Sequence, residues 1–239
     1  MSAAIVGSTY VVHVASPFFH SNDESVLVTP AVEGTLSVMR ACRDNHVKRC
    51  VVTSSCASII YRERPADLFD ETHWSDPNFP GISNYAKSKV LAEKAAWDFQ
   101  ASLPEAERFE LVVINPGFVV GPSLRLEPST SIDFCKYALD GKMPAIPHNI
   151  FPTVDVRDVA VAHLKAIKIE EAASHRFVLS CDEAWWSDLV AHLTERYGPE
   201  GWPVTSVKAD PPAGYDGYII RLNNAKSREI LGIQYIPLA

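Results

Sequence analysis

The chain has 239 residues, 47% of them hydrophobic and 21% charged, enough to enclose one large core. A net charge of −7, with no Lys or Arg stripe, disfavours nucleic acid and anionic membrane surfaces as partners. No apolar run approaches a membrane span, the first residues lack a basic, apolar leader, and five scattered cysteines form no Cys-x-x-Cys; the expectation is a cytoplasmic protein with reduced thiols and no metal site.

Tyr10 to Ala15 is almost continuously apolar and stops at Ser16-Pro17, the pattern of a strand buried on both faces. Asn22 or Asp23 can cap a helix in which Val28, Val32, Thr35, Leu36, Met39 and Cys42 recur at helical spacing to about Asn45. Pro30 fits that helix only near its first turn. Lys48 to Ser55 reads as the next strand, ending in hydroxyls, and strand–helix–strand predicts a right-handed parallel unit. Residues 61–82, with Pro65, Pro77, Pro80 and Gly81, read as a long loop.

A helix follows from Tyr85 to about residue 101, with Tyr85, Lys89, Ala92, Ala96 and Phe99 on one stripe. Glu110 to Asn115 is a buried strand broken by Pro116-Gly117, and Ile132 to Leu139 is helical. Thr153 to Asp155 starts a short strand or turn into a helix from Val156 to about Ile169. Arg176 to Ser180 is a strand, Ser187 caps a helix through Arg196, and residues 198–217 read as loop. Asn224 to Leu231 forms a short helix with Gly232 as its C-cap. The sum is a single α/β domain over residues 1–239 with a parallel sheet, residues 123–152 and 176–239 contributing a C-terminal lobe.

In open parallel sheets ligands bind beyond the carboxyl ends of the strands. Ser16-Pro17, Ser54-Ser55 and Asn115-Pro116-Gly117 gather there, beside the Tyr85 helix. Tyr85 and Lys89 lie one helical turn apart, so a fixed cation stands near a phenol and favours its phenolate. Such a pair can trade a proton with a substrate oxygen, while a strand-end serine holds that oxygen. Taken alone, the same spacing also describes an ordinary surface i,i+4 contact. Cys56, with no cation or helix start beside it, reads as a buried, inert thiol, and His13 as a satisfied strand residue.

Several segments in order extend this pattern: Val12-His-Val-Ala-Ser-Pro17, Pro30-Ala-Val-Glu-Gly-Thr35, Arg49-Cys-Val-Val-Thr-Ser-Ser55, Tyr85-Ala-Lys-Ser-Lys89 through Trp97, Asn115-Pro-Gly-Phe-Val-Val-Gly-Pro122, Asp155 to His163 and Asn224 to Gly232. In these the chain resembles the extended short-chain dehydrogenase/reductases of the epimerase/dehydratase type, in the branch of dihydroflavonol-4-reductase-like and methylglyoxal/aldehyde reductases. The resemblance implies a Rossmann-like doubly wound sheet. It also implies NADP(H), more than NAD(H), as coenzyme and reduction of an aldehyde, ketone or dihydroflavonol-like carbonyl. By the same resemblance Ser55, Tyr85 and Lys89 would form the catalytic triad, with Tyr85 and Lys89 also at the nicotinamide ribose. Ala15 and Ser16 would line the coenzyme channel, and Pro116, Gly117, Phe118 and Val119 would flank the nicotinamide. Asp158 would be structural. The partner implied is a small carbonyl compound, for a monomer or a homodimer.

The sequence departs from the family in two respects. None of its eleven glycines opens the Gly-x-x-Gly-x-x-Gly turn that holds a coenzyme pyrophosphate. The resemblance begins near the family's fourth strand, so the expectation is a chain lacking about 70 residues in front and cut short at its end. A non-catalytic remnant or binding module is therefore a second reading, and a 3β-hydroxysteroid dehydrogenase or nucleotide-sugar epimerase a third. The Asn-Trp-Tyr-type signature of cinnamoyl-CoA reductases does not precede Tyr85, which argues against a CoA thioester.

Overall fold

The computed structural model describes residues 2–19, 21–63, 68–124, 130–213 and 219–237. Its first half runs α1 (Ser2–Ile5), β1 (Tyr10–His13), α2 (Ser25–Asp44), β2 (Arg49–Thr53), α3 (Ala57–Ile60), α4 (Asn84–Ser102) and β3 (Glu110–Pro116). The second half adds β4 (Phe118–Val120), α5 (Thr130–Leu139), β5 (Ile150–Asp155), α6 (Val156–Lys168), β6 (Arg176–Leu179), β7 (Asp182–Trp185), α7 (Trp186–Tyr197) and α8 (Ala225–Glu229). Four strands pair in parallel in the order β1-β2-β3-β6. A smaller sheet, β4-β5-β7, is parallel between β4 and β5 and antiparallel between β5 and β7.

Alternate residues of the central strands serve opposite faces, as the period of two requires. Cys50, Val52, Leu111 and Val113 pack with Val38, Met39 and Cys42 of α2 and Ala96 of α4. Val51, Val112, Ile114, Phe177 and Leu179 pack with Ala162 and Ala166 of α6 and with Leu231 and Ile233. Each fully buried Val, Leu, Ile, Phe or Met among them contributes about 1.5–3 kcal/mol. The sheet is thus covered on both faces, a Rossmann-like arrangement that carries β2, β3 and β6 toward one common edge. A separate cluster of Ala138, Met143, Ile146, Trp186 and Val190 joins α5 to α7 beyond the smaller sheet.

Arg49 ties the sheet to α6. Its guanidinium is buried and donates to the carbonyl oxygens of Ala166 (2.7 Å), Ile167 (3.2 Å), Ile169 (2.5 Å) and Glu170 (3.2 Å), while Nε pairs with Glu110 at 2.6 Å. The Ala166 and Ile167 carbonyls are among the acceptors that a helix C-terminus leaves without partners, whereas those of Ile169 and Glu170 lie just past the helix and also accept the Ala172 and Ala173 N–H groups.

Four expectations need correction. β1 is not buried on both faces: among the described residues it pairs only with β2, and Tyr10 and Val12 are exposed. Its apolar sequence matches a central strand, but the position it occupies is an edge. Pro30 lies in the second turn of α2. It is exposed, near the exposed Val26 whose carbonyl its missing N–H leaves free, so water can satisfy that group. Ser187 is not a cap but the second residue of α7, whose N-cap is Trp185. Finally, α8 stops at Glu229, and Gly232 turns the chain at a φ of 59°.

Asp23 does receive the Ser25 N–H (2.9 Å) at the entry to α2. The described parts of 61–82 and 198–217 hold no strand and only a short 3-10 turn at Gly198–Glu200. Pro65 of the first loop and Gly214 and Gly217 of the second fall outside the described residues.

Candidate active site

Helix α4 begins where its sequence allows. Ser83 has extended backbone angles, and its Oγ accepts from the Ala86 N–H at 3.1 Å, one of the donors a helix start leaves open. This fixes Tyr85 in the first turn and Lys89 one turn on. The strand β2 ends at Thr53, and Ser54 and Ser55 form the turn into α3. The Ser55 Oγ accepts from the Ala57 N–H at 3.1 Å, and the Ser54 N–H reaches the Ile114 carbonyl at 2.8 Å, so the turn is held to both its helix and β3.

A cleft of about 1220 Å³ opens at this edge of the sheet. Ser55, Tyr85 and Lys89 line it together, with Ser16 and with Pro116, Gly117, Phe118 and Val119. Ala15 does not: it is exposed and points away, while its neighbours Val14 and Ser16 face the cleft, as alternation along an extended segment dictates. The wall at Gly117 is tight, because a Cβ there would run into the Pro152 carbonyl oxygen.

Burial sets the charges. It pushes the Tyr85 phenol up to about 12, and hydrogen bonding with the Ser55 hydroxyl pulls in the other direction. It brings the Lys89 ammonium down to about 8, opposed by the charge of Glu93. The expectation that Lys89 makes Tyr85 acidic is therefore overturned: burial is the largest influence on the phenol and raises it, while the Lys89 Nζ stands 5.8 Å from the phenol ring centroid and 3.4 Å from the Thr53 carbonyl. The Ser55 hydroxyl and the Tyr85 phenol stand within hydrogen-bonding reach of each other.

The remaining groups keep the roles expected of them. His13 lies 3.3 Å from the Thr35 hydroxyl, its pKa lowered by burial and then by Lys89. Cys56 is buried, its thiol pushed up to about 11 by burial, but against expectation a helix start does stand beside it, since Cys56 is the N-cap of α3. Asp158 accepts the Ile236 N–H at 2.8 Å and holds the chain end against α6.

Sequence reasoning missed several contributors. Phe18 stacks on Tyr85 with ring centroids 4.6 Å apart, and Tyr61, Arg157 and Ile220 also line the cleft. They sit on irregular segments or a helix start, where no periodicity marks a direction. Glu93 was readable, since Tyr85, Lys89 and Glu93 repeat every fourth residue on one face.

Residues 2–180 match the model of the NAD dependent epimerase/dehydratase family. The chain belongs to that family. Tetraketide alpha-pyrone reductase 2 of Arabidopsis thaliana is 35% identical over 203 residues, covering 81% of this chain and 62% of its relative, so the chain spans less than two thirds of that protein's length. Cinnamoyl-CoA reductase CAD2 of Medicago truncatula is 35% identical over 99% of this chain and 72% of its own. Among solved structures, yeast methylglyoxal/isovaleraldehyde reductase Gre2 in complex with NADPH superposes with a TM-score of 0.82 at 28% identity, over 96% of this chain and 73% of that one. This family member therefore shares its fold with a coenzyme-bound reductase.

Proposed function

We propose that this family member is an NADP(H)-dependent reductase of small carbonyl compounds, organised as a single domain in which α5, β4 and β5 wall the substrate end of the cleft. The observation that carries the proposal is the convergence of Ser55, Tyr85 and Lys89 on one cleft at the carboxyl edge of a parallel sheet. Similarity to an NADPH-bound reductase favours NADP(H).

The cleft is large enough for a nicotinamide beside the triad. Ser16, Lys89, Pro116, Gly117, Phe118 and Val119 would hold that end of the coenzyme, and the absence of a side chain at Gly117 is what lets β4 lie against β5. When bound, the reduced nicotinamide supplies a hydride to the substrate carbon. Ser55 holds the carbonyl oxygen and orients it. Tyr85 keeps its proton at neutral pH and gives it to that oxygen as negative charge develops there, because an alkoxide is far more basic than the phenol. Lys89, charged below about 8, then stabilises the phenolate until water entering the cleft returns a proton to it. The pyrophosphate-binding glycine turn has no counterpart in this sequence, so the affinity of this chain for coenzyme is itself a test of the proposal.

Tyr85→Phe removes the proton donor and keeps the ring on Phe18. NADPH oxidation with a panel of aldehydes, ketones and one CoA thioester should fall at least a hundredfold, with coenzyme affinity unchanged within about threefold. Unchanged turnover in the variant contradicts the assignment. No turnover in the unsubstituted chain, with coenzyme bound, favours the reading as a non-catalytic binding module.

A further inference from the structure

Behind the cleft lies a polar cluster that the proposed chemistry does not use. Glu93, on the turn of α4 after Lys89, is 1% exposed. Its Oε2 receives the Ser54 hydroxyl at 2.5 Å, the Ser58 hydroxyl at 2.6 Å and the Asn115 side-chain amide at 2.8 Å. Its Oε1 pairs with Nε of the buried Arg176 at 2.5 Å. Arg176 donates further to the Glu71 and His73 carbonyls at 2.8 and 2.7 Å and stacks over Trp74 at 3.8 Å.

We propose that Glu93 is a positioning residue for the reducing site: one carboxylate joins the helix carrying Tyr85 and Lys89, the turn carrying Ser55, and the end of β3 that precedes Pro116-Gly117. This deepens the reductase reading and rests on it. Three features support it. The donors on Oε2 flank Ser55 on both sides, and the Ser58 hydroxyl also lies 2.8 Å from the Ser55 carbonyl. Asn115 reaches the same carbonyl at 3.3 Å, so the turn and β3 meet at the carboxylate. Arg176 anchors the opposite oxygen from β6, which leaves Glu93 little freedom to turn.

Charge gives the role a signature that simple scaffolding lacks. Lys89 is faced by His13 from β1 and by Tyr85 and Glu93 from its own helix, with Cys56 and Tyr61 beside Tyr85 and Arg157 of α6 along the same cleft, paired to Asp155. Glu93 is the group that favours the charged lysine.

The test uses the full chain as wild type, Glu93→Gln, Ser54→Ala, Ser58→Ala and the Glu93→Gln/Ser58→Ala double variant. Lysine carbon NMR follows the Lys89 titration, assigned with Lys89→Arg, and NADPH oxidation and thermal melting are measured on each. In folded Glu93→Gln the Lys89 midpoint should fall below that of wild type, and kcat should drop on the order of tenfold to a hundredfold. KM for coenzyme should stay within about threefold. Ser58→Ala should act in the same direction and add little to Glu93→Gln, since both disturb one contact. An unmoved Lys89 midpoint with kcat within about twofold overturns the proposal, as does a loss of kcat that equals the loss of folded protein. Should Glu93→Gln fail to fold, unchanged kcat in both serine variants overturns it. A wild type that turns over no carbonyl defeats the reductase reading separately, and the Lys89 midpoint then decides the role of Glu93.

Discussion

At the scale of residues, Lys89 and Tyr85 carry pKa values moved in opposite directions by the same burial. Lys89, lowered from 10.5 to about 8, binds fewer protons in the folded than in the unfolded chain between those values. Stability therefore rises with pH across that window, and the buried ammonium destabilises the fold at pH 7. Tyr85, raised from 10 to about 12, acts the other way between pH 10 and pH 12. Lys89→Met should unfold at higher urea than wild type at pH 7, by a margin that shrinks as pH rises past 8, while losing turnover; lower stability at pH 7 contradicts this. The reductive rate of wild type should fall as pH climbs through about 8, because charged Lys89 is lost there. A flat profile from pH 6 to 10 counts against that role. Position was legible in the sequence at this scale and energy was not. The four-residue spacing put Tyr85 and Lys89 on one face, but the desolvation that raises the phenol depends on Phe18 and the cleft walls, which arrive from elsewhere in the chain.

At the scale of elements, strands with unbroken apolar runs and helices with strong periodicity were readable, and short or interrupted ones were not. Glu110 to Pro116 and Asn84 to Ser102 lie within a residue or two of their expected bounds. β4 and β7 have three and four residues, so neither alternation nor length marked them, and of β5 only Thr153 to Asp155, after Pro152, was readable as a short strand or turn. Two substitutions test what holds the elements together. Arg49→Leu removes the donor to the Ala166 and Ile167 carbonyls at the end of α6 and leaves Glu110 unpaired, and should cost about 2–4 kcal/mol, read as a lower urea midpoint. A change under about 0.5 kcal/mol would show that water takes over the role. Gly117→Ala forces a Cβ onto the Pro152 carbonyl and should both lower the melting temperature and weaken coenzyme binding. Normal binding at full stability would mean that β4 and β5 separate freely.

At the scale of the whole molecule, the sheet leaves Tyr10 and Val12 exposed along β1, and Val14 continues the apolar line toward the cleft. An apolar strand edge of this kind templates association. Val12→Lys should reduce light scattering at high protein concentration with the urea midpoint unchanged, and equal scattering would place the sticky surface elsewhere. The fold and the family were legible because motifs recur in order along nearly the whole chain. The grip on coenzyme was not, because most residues lining the cleft come from irregular segments with no periodicity to mark their direction. The reductase reading requires the cleft to hold nicotinamide coenzyme against Ser55, Tyr85 and Lys89. The most direct measurement is a titration of the 239-residue chain with NADPH, followed by the fluorescence of bound coenzyme. Saturable binding in the micromolar range, weakened by Gly117→Ala and kept by Tyr85→Phe, is the predicted result; no binding by a cooperatively folded chain would contradict it.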